Sequence, residues 1–176
     1  MTLSIPQELR VGAWRLRPLQ REDAAPWLEI VLDANVRHLT SWNIDTLEAM
    51  QRNVESYLTG PKALTTRRWA IVDGDGVFSG TCGFKDWDRE ARTAELAYEL
   101  AAARRGGGVM TAVANAALEH ARTEMKLRTV TALVNLENAP SIRVLERLGF
   151  GRTETLPAFR SCGGAMRDFG RYVRSL

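Results

Sequence analysis

The chain has 176 residues, 45% hydrophobic and 26% charged, the profile of one ordinary globular domain (1–176) with enough apolar residues to bury a real core. Its formal net charge is only +3, but residues 1–100 carry 12 basic and 15 acidic side chains while residues 101–176 carry 12 and 6, so the C-terminal part is set to prefer an anionic ligand. These features argue against a membrane span, a secretory leader at Met1 to Gln7, a disulfide framework or zinc site (only Cys82, Cys162, His38 and His120 are present), and a nucleic-acid platform, because the basic residues stand singly without interleaved aromatics. The expectation is a cytoplasmic protein with two reduced thiols, no metal, and a phosphorylated small molecule as its partner.

Trp14 to Arg17 reads as a first strand. Asp23 ahead of Pro26, Trp27, Ile30 and Val31 reads as a capped amphipathic helix, and Asp45 with Glu48 starts a second that runs to about Leu58. Trp69 to Val72 and Val77 to Phe84 are β-rich runs around Asp73, Gly74, Asp75 and Gly76, a hairpin signal because these residues tolerate positive φ. In Thr93 to Leu100, Ala94, Leu96, Tyr98 and Leu100 alternate with Glu95, Ala97 and Glu99 as in a half-buried strand, whose polar face then carries two carboxylates. Met110, Val113, Ala114, Ala117, Leu118, Ala121 and Met125 follow helical spacing. Thr129 to Val134 is a β-branched strand, and Ile142, Leu145 and Leu148 mark a short helix ended by Gly149. Gly151 to Leu156 and Met166 to Val173 close the chain as two more strands. The pattern is α/β with no internal repeat or linker.

A strand, then Arg105-Gly106-Gly107-Gly108-Val109-Met110, then a long helix has a clear physical use. Unpaired amides at a helix N-terminus point at one place, the helix dipole favours negative charge there, and glycines remove the Cβ atoms that would hold a pyrophosphate away. The spacing is neither a Rossmann fingerprint, since Thr111 occupies the third glycine position, nor a P-loop, since no Lys-Ser/Thr follows. Taken alone, a glycine cluster reads equally well as a flexible loop.

The rest of the chain resembles a known family. Arg105 to Met110 resembles the Arg/Gln-x-x-Gly-x-Gly/Ala pyrophosphate loop of the GCN5-related N-acetyltransferases (GNAT), and Asn138-Ala-Pro-Ser141-Ile-Arg-Val-Leu-Glu-Arg-Leu-Gly-Phe150 resembles their second CoA motif, in the family's order and separation. Ala94-Glu95-Leu96-Ala97-Tyr98, the Met closing the loop, and Arg37-His38-Leu39-Thr40-Ser41-Trp42 resemble the subgroup that acetylates ribosomal-protein N-termini, the RimJ/RimL-like acetyltransferases. The resemblance implies a GNAT fold: a central mixed, mostly antiparallel sheet of about seven strands with a splayed parallel pair, flanked by about four helices. It implies transfer of an acetyl group from acetyl-CoA to a primary amine, on a protein N-terminus or a small molecule, directly in a ternary complex. A CoA-binding module of the same fold without catalysis is the alternative, and both a monomer and a homodimer stay open.

The resemblance also implies roles. Backbone groups near Tyr98, Glu99 and Leu100 would bond the pantetheine arm between the parallel strands, and Arg105, Gly106, Gly107, Gly108, Val109 and Met110 would hold the pyrophosphate. Asn138 matches a pantetheine contact, and Ser141 lies where the thiol is expected. Arg147 reads equally as a phosphate contact or a solvated helix residue. Acetyl transfer to an amine needs a base for the amine, stabilisation of a developing oxyanion and a proton for the thiolate. Glu95 is the first choice of base, with Glu99 behind it, although Glu95 reads as well as the ion-pair partner of an arginine such as Arg92. Many relatives place an acidic Tyr where Leu145 stands, so that role is vacant and Ser141 is the acid, or else only a helix cap. Arg160 aligns with a Glu that some members carry in the loop between the last two strands, and it suits an acidic group on the acceptor. His38 and Trp42 fall in the acceptor wall, where Trp42 also reads as plain packing.

Overall fold

A computed structural model of the protein describes residues 7–176, so most of the stretch read for a leader, Met1 to Pro6, lies outside the described residues. One eight-stranded sheet runs in the order β1-β2-β3-β4-β5-β6-β8-β7, with β1 Leu9–Val11, β2 Trp14–Pro18, β3 Arg67–Val72, β4 Phe78–Asp88, β5 Thr93–Leu100, β6 Thr129–Asn135, β7 Gly151–Cys162 and β8 Ala165–Ser175. Every neighbouring pair is antiparallel except β5 and β6. The added strand is β1, three residues joined to β2 through Gly12 at φ 57°. The β3–β4 hairpin forms as expected: Asp73 and Val77 close the turn and Gly76 takes φ 83°.

The four expected helices are present: α1 Ala24–Leu32, α3 Leu47–Leu58, α5 Val109–Thr123 and α6 Ala139–Arg147. Two short ones join them, α2 Ala34–Leu39 and α4 Lys62–Thr65. The expected caps differ. Asp23 makes no cap bond to α1; it accepts from Gln20 N and takes a bidentate pair from Arg17 at 2.7 and 2.9 Å. Thr46, not Asp45, caps α3 through Ala49 N, because Asp45 is taken by Arg37.

Alternation along the strands sorts side chains to two faces. Trp69, Ile71, Cys82, Phe84, Ala94, Leu96 and Leu100 pack under α5 and α6 with Val113, Ala117, Leu118 and Leu145. On the other face Ala70 meets Trp27 and Val31 of α1 and Met50 and Val54 of α3. In β5 the same alternation sends Tyr98 toward α6 and sends Glu95 and Glu99 the opposite way. No helix among the described residues is long and apolar enough to cross a membrane.

Candidate active site

Strands β5 and β6 pair only at Thr93 with Thr129, Ala94 with Val130 and Glu95 with Thr131, and then part. Beyond that point each remains bonded on its far side, β5 to β4 and β6 to β8. Backbone groups of Leu96 to Leu100 and Ala132 to Asn135 therefore face each other across a gap without a strand partner, an opening suited to an extended ligand that bonds main chain on both sides. Two cavities meet there, of about 340 and about 250 Å³, and Tyr98, Glu99, Asn138 and Ser141 line both.

The smaller cavity runs to the glycine turn. Gly108 occupies the cap position of α5 at φ 76°, so the cap has no side chain, and the first intrahelical acceptor is used only by Ala112 N. The amides of Val109, Met110 and Thr111 thus have no intrahelical partner. A Cβ built on Gly106, Gly107 or Gly108 meets nothing within 4 Å, so the positive φ of Gly106 (87°) and Gly108 is what requires glycine, and the space above the turn is open to a ligand. Gly107 does not line the cavity. Arg105, Arg143 and Arg147 line it, none in an ion pair among the described residues, and Arg147 is at the same time an exposed helix residue. Arg143 was not singled out by the sequence, although it stands four residues before Arg147 on the same helix face. The buried Thr111 hydroxyl, without a hydrogen-bond partner, lines the same cavity. An open helix start, three arginines and an orphan hydroxyl fit a pyrophosphate-bearing ligand such as CoA.

At the junction, Ser141 does not cap α6; Asn138 does, accepting from Ser141 N at 3.2 Å. The Ser141 hydroxyl instead lies 2.9 Å from the Tyr98 phenol, which is also 3.3 Å from the Ser141 carbonyl. Burial drives the Tyr98 phenol well above its usual pKa, with the Ser141 hydrogen bond opposing, so it stays protonated. Leu145 is buried and offers no acid, and a phenol from β5 reaches the serine hydroxyl.

In the larger cavity Glu95 pairs with Lys85 at 2.9 Å, its cross-strand neighbour, and not with Arg92. Glu99 accepts from Arg68 and Thr81 at 2.5 Å each and from Trp42 Nε1 at 2.9 Å. Arg68 and Glu99 are almost wholly buried; burial works against the Arg68 charge, and Glu99 outweighs it and holds the guanidinium protonated. With both oxygens occupied, Glu99 is a strut for Trp42, which lines the cavity. Arg160 lines it too, from within β7 just after a bulge and opposite Arg167, not from a loop. His38 lies outside both linings, on the rim, 3.4 Å from Glu137. Cys82 is reduced and inert, burial pushing its thiol up to about 12. No cluster of His, Cys, Asp or Glu fit for a metal occurs among the described residues.

This architecture can be compared with known proteins. Residues 14–151 match the model of the acetyltransferase (GNAT) domain. The chain belongs to the GNAT acetyltransferase family. That family's members are enzymes that move an acetyl group from acetyl-CoA to an amine. Among curated GNAT relatives, an uncharacterized N-acetyltransferase, p20, of Bacillus licheniformis is 32% identical over 98 residues, 56% of this chain and 55% of that protein. The chain thus spans about half the length of that relative. Spermidine N(1)-acetyltransferase of Escherichia coli K12 is 28% identical over 138 residues, 77% of this chain and 72% of that protein. Among solved structures, Mycobacterium smegmatis RimJ in complex with CoA-disulfide superposes with a TM-score of 0.81 at 26% identity, covering 96% of this chain and 86% of that one. The likeness to RimJ agrees with the RimJ/RimL-like features of the sequence.

Proposed function

We propose that the protein transfers the acetyl group of acetyl-CoA directly to a primary amine in a ternary complex, the chain acting as one domain in the cytoplasm. The observation that carries this reading is the junction of the two cavities at the β5–β6 gap, with the Ser141 hydroxyl and Tyr98 phenol 2.9 Å apart where both open. The open amides of Val109 to Thr111 with Arg105, Arg143 and Arg147 hold the phosphates, and the gap edges hold the pantetheine arm. Acetyl-CoA supplies the activated acyl group.

The amine enters the larger cavity past Trp42. Glu95 has one oxygen on Lys85 and takes the amine proton on the other, directly or through water. Glu99 is not the base, since Arg68, Thr81 and Trp42 use its oxygens. The Ser141 hydroxyl, held by the Tyr98 phenol, gives its proton to the departing sulfur and takes one back from solvent as CoA leaves. The Tyr missing at Leu145 speaks for a CoA-binding module without catalysis, and the Tyr98–Ser141 pair answers it with a hydroxyl at the cavity junction.

Incubation of the protein with acetyl-CoA and N-terminal peptides, polyamines or amino acids, followed by mass spectrometry, tests the reading. An acetylated amine formed only in the presence of protein supports it. CoA binding without product from any amine would leave the binding module.

A further inference from the structure

The ionisable side chains of the larger cavity are not balanced. Arg68, Lys85 and Arg160 face two carboxylates, Glu95 and Glu99. Lys85 balances Glu95, and the buried Arg68 balances Glu99. Arg160 has no carboxylate within ion-pair range among the described residues. Its guanidinium lies against the rings of Phe159 and Phe169, 5.1 and 5.8 Å from their centroids, which orients the plane and leaves its N–H edge available. The rim offers no relief: Arg167 stands opposite Arg160, and one carboxylate, Glu137, serves Arg167 and His38.

A second donor lines the same cavity. Asn135 is 1% exposed; its Oδ1 accepts from Glu137 N at 3.0 Å, which fixes the orientation of the amide and leaves Nδ2 buried without a partner. Cys162 is the neighbouring sulfur, and although Asn135 acts on its thiol, the two fall outside hydrogen-bond geometry. A buried donor left unpaired costs stability until something accepts from it.

Resting on the acetyltransferase reading above, we infer that the acceptor is a small amine carrying its own carboxylate, which Arg160 and the Asn135 amide bind. Such an amine enters as a zwitterion and adds no net charge. A polyamine brings several positive charges to a cavity whose two carboxylates are already balanced, and it repels Arg160. The planar guanidinium matches a carboxylate through two parallel N–H···O bonds. The chain therefore departs in acceptor from its spermidine-acetylating relative.

The test uses the full chain, acetyl-CoA, amino acids, their uncharged amides, and spermidine. Wild type is expected to favour the best amino acid over its own amide by about 10- to 100-fold in kcat/KM, the range for hydrogen bonds to a charged group. Arg160→Ala is expected to remove that preference, raising acceptor KM more for the amino acid than for its amide. Spermidine acetylated faster than every amino acid, with a rate unchanged in Arg160→Ala, overturns the inference and leaves the acetyltransferase reading standing. No transfer to any of these amines while N-terminal peptides are acetylated overturns the inference alone, and no transfer to the peptides either overturns both.

Discussion

The Tyr98 phenol sits 2.9 Å from the Ser141 hydroxyl and bridges β5 to α6 where β5 and β6 part. Burial holds the phenol protonated, so it fixes the serine hydroxyl through a neutral hydrogen bond. Tyr98→Phe keeps the ring packing and removes only that bond. The expected outcome is a fall in kcat of about 10-fold with acetyl-CoA KM nearly unchanged, less than the roughly 100-fold or more of a direct general acid because Tyr98 acts through Ser141. If the two act as a unit, Tyr98→Phe combined with Ser141→Ala is no slower than Ser141→Ala alone, whereas independent losses would multiply.

The Arg68–Glu99 pair makes a stability prediction. Glu99→Gln leaves a buried guanidinium without its counter-ion, and breaking such a pair costs about 3 to 5 kcal/mol. The amide keeps some hydrogen bonds, so about 3 kcal/mol is expected by urea unfolding, together with a raised acceptor KM as Trp42 loosens. An unchanged midpoint would mean that Arg68 needs no buried counter-ion.

Much of this was legible in the sequence, and the remainder depends on contacts distant in the chain. Alternation in Thr93 to Leu100 placed Glu95 and Glu99 on one face, and 3.6-residue spacing located α5. Glu95 is in an ion pair, but its partner is Lys85, which reaches it through the β4–β5 register, while Arg92 lies in the turn at φ 58°. The phenol beside Ser141 comes from 43 residues earlier in the chain, and no local pattern encodes that meeting. Helix α2 is six residues, too short for periodicity, yet Asp33 was a readable cap: it accepts from Asn35 N and Val36 N.

His120 gives a pH prediction. It stacks edge-on with Trp69, 5.2 Å between centroids, and burial lowers its pKa below the usual 6.5, with Glu124 opposing. The unfolded chain therefore binds this proton more readily than the folded one, so the His120 contribution is present above about pH 6.5 and is lost as pH falls through the folded value. Thermal melts from pH 7.5 to 5 should fall less steeply in His120→Phe than in wild type. Parallel curves would show no coupling of His120 to folding.

At the glycine turn, two neighbours should respond differently. Gly108→Ala disfavours the left-handed cap and puts a Cβ into the space assigned to phosphate, so CoA affinity should fall at least 10-fold, because binding must return the relaxed turn to its strained form at about 1 to 2 kcal/mol and also meets the methyl. Gly107→Ala meets no protein atom and lies outside the cavity lining, so calorimetry should find CoA affinity within about 3-fold of wild type, an energy difference below 1 kcal/mol. Equal affinity in all three proteins would place the phosphates elsewhere.

The most direct measurement for the central claim, that acetyl transfer occurs at the β5–β6 gap with Ser141 protonating the departing thiolate, is acceptor-dependent CoA release by Ser141→Ala, with CoA affinity measured on the same preparation. Asn138 caps α6, so loss of the serine hydroxyl should leave folding nearly intact. The account predicts kcat lowered by about 10- to 1000-fold with CoA affinity essentially unchanged, as for removal of an acid acting only in the transition state. A mutant that releases CoA at the wild-type rate would contradict it.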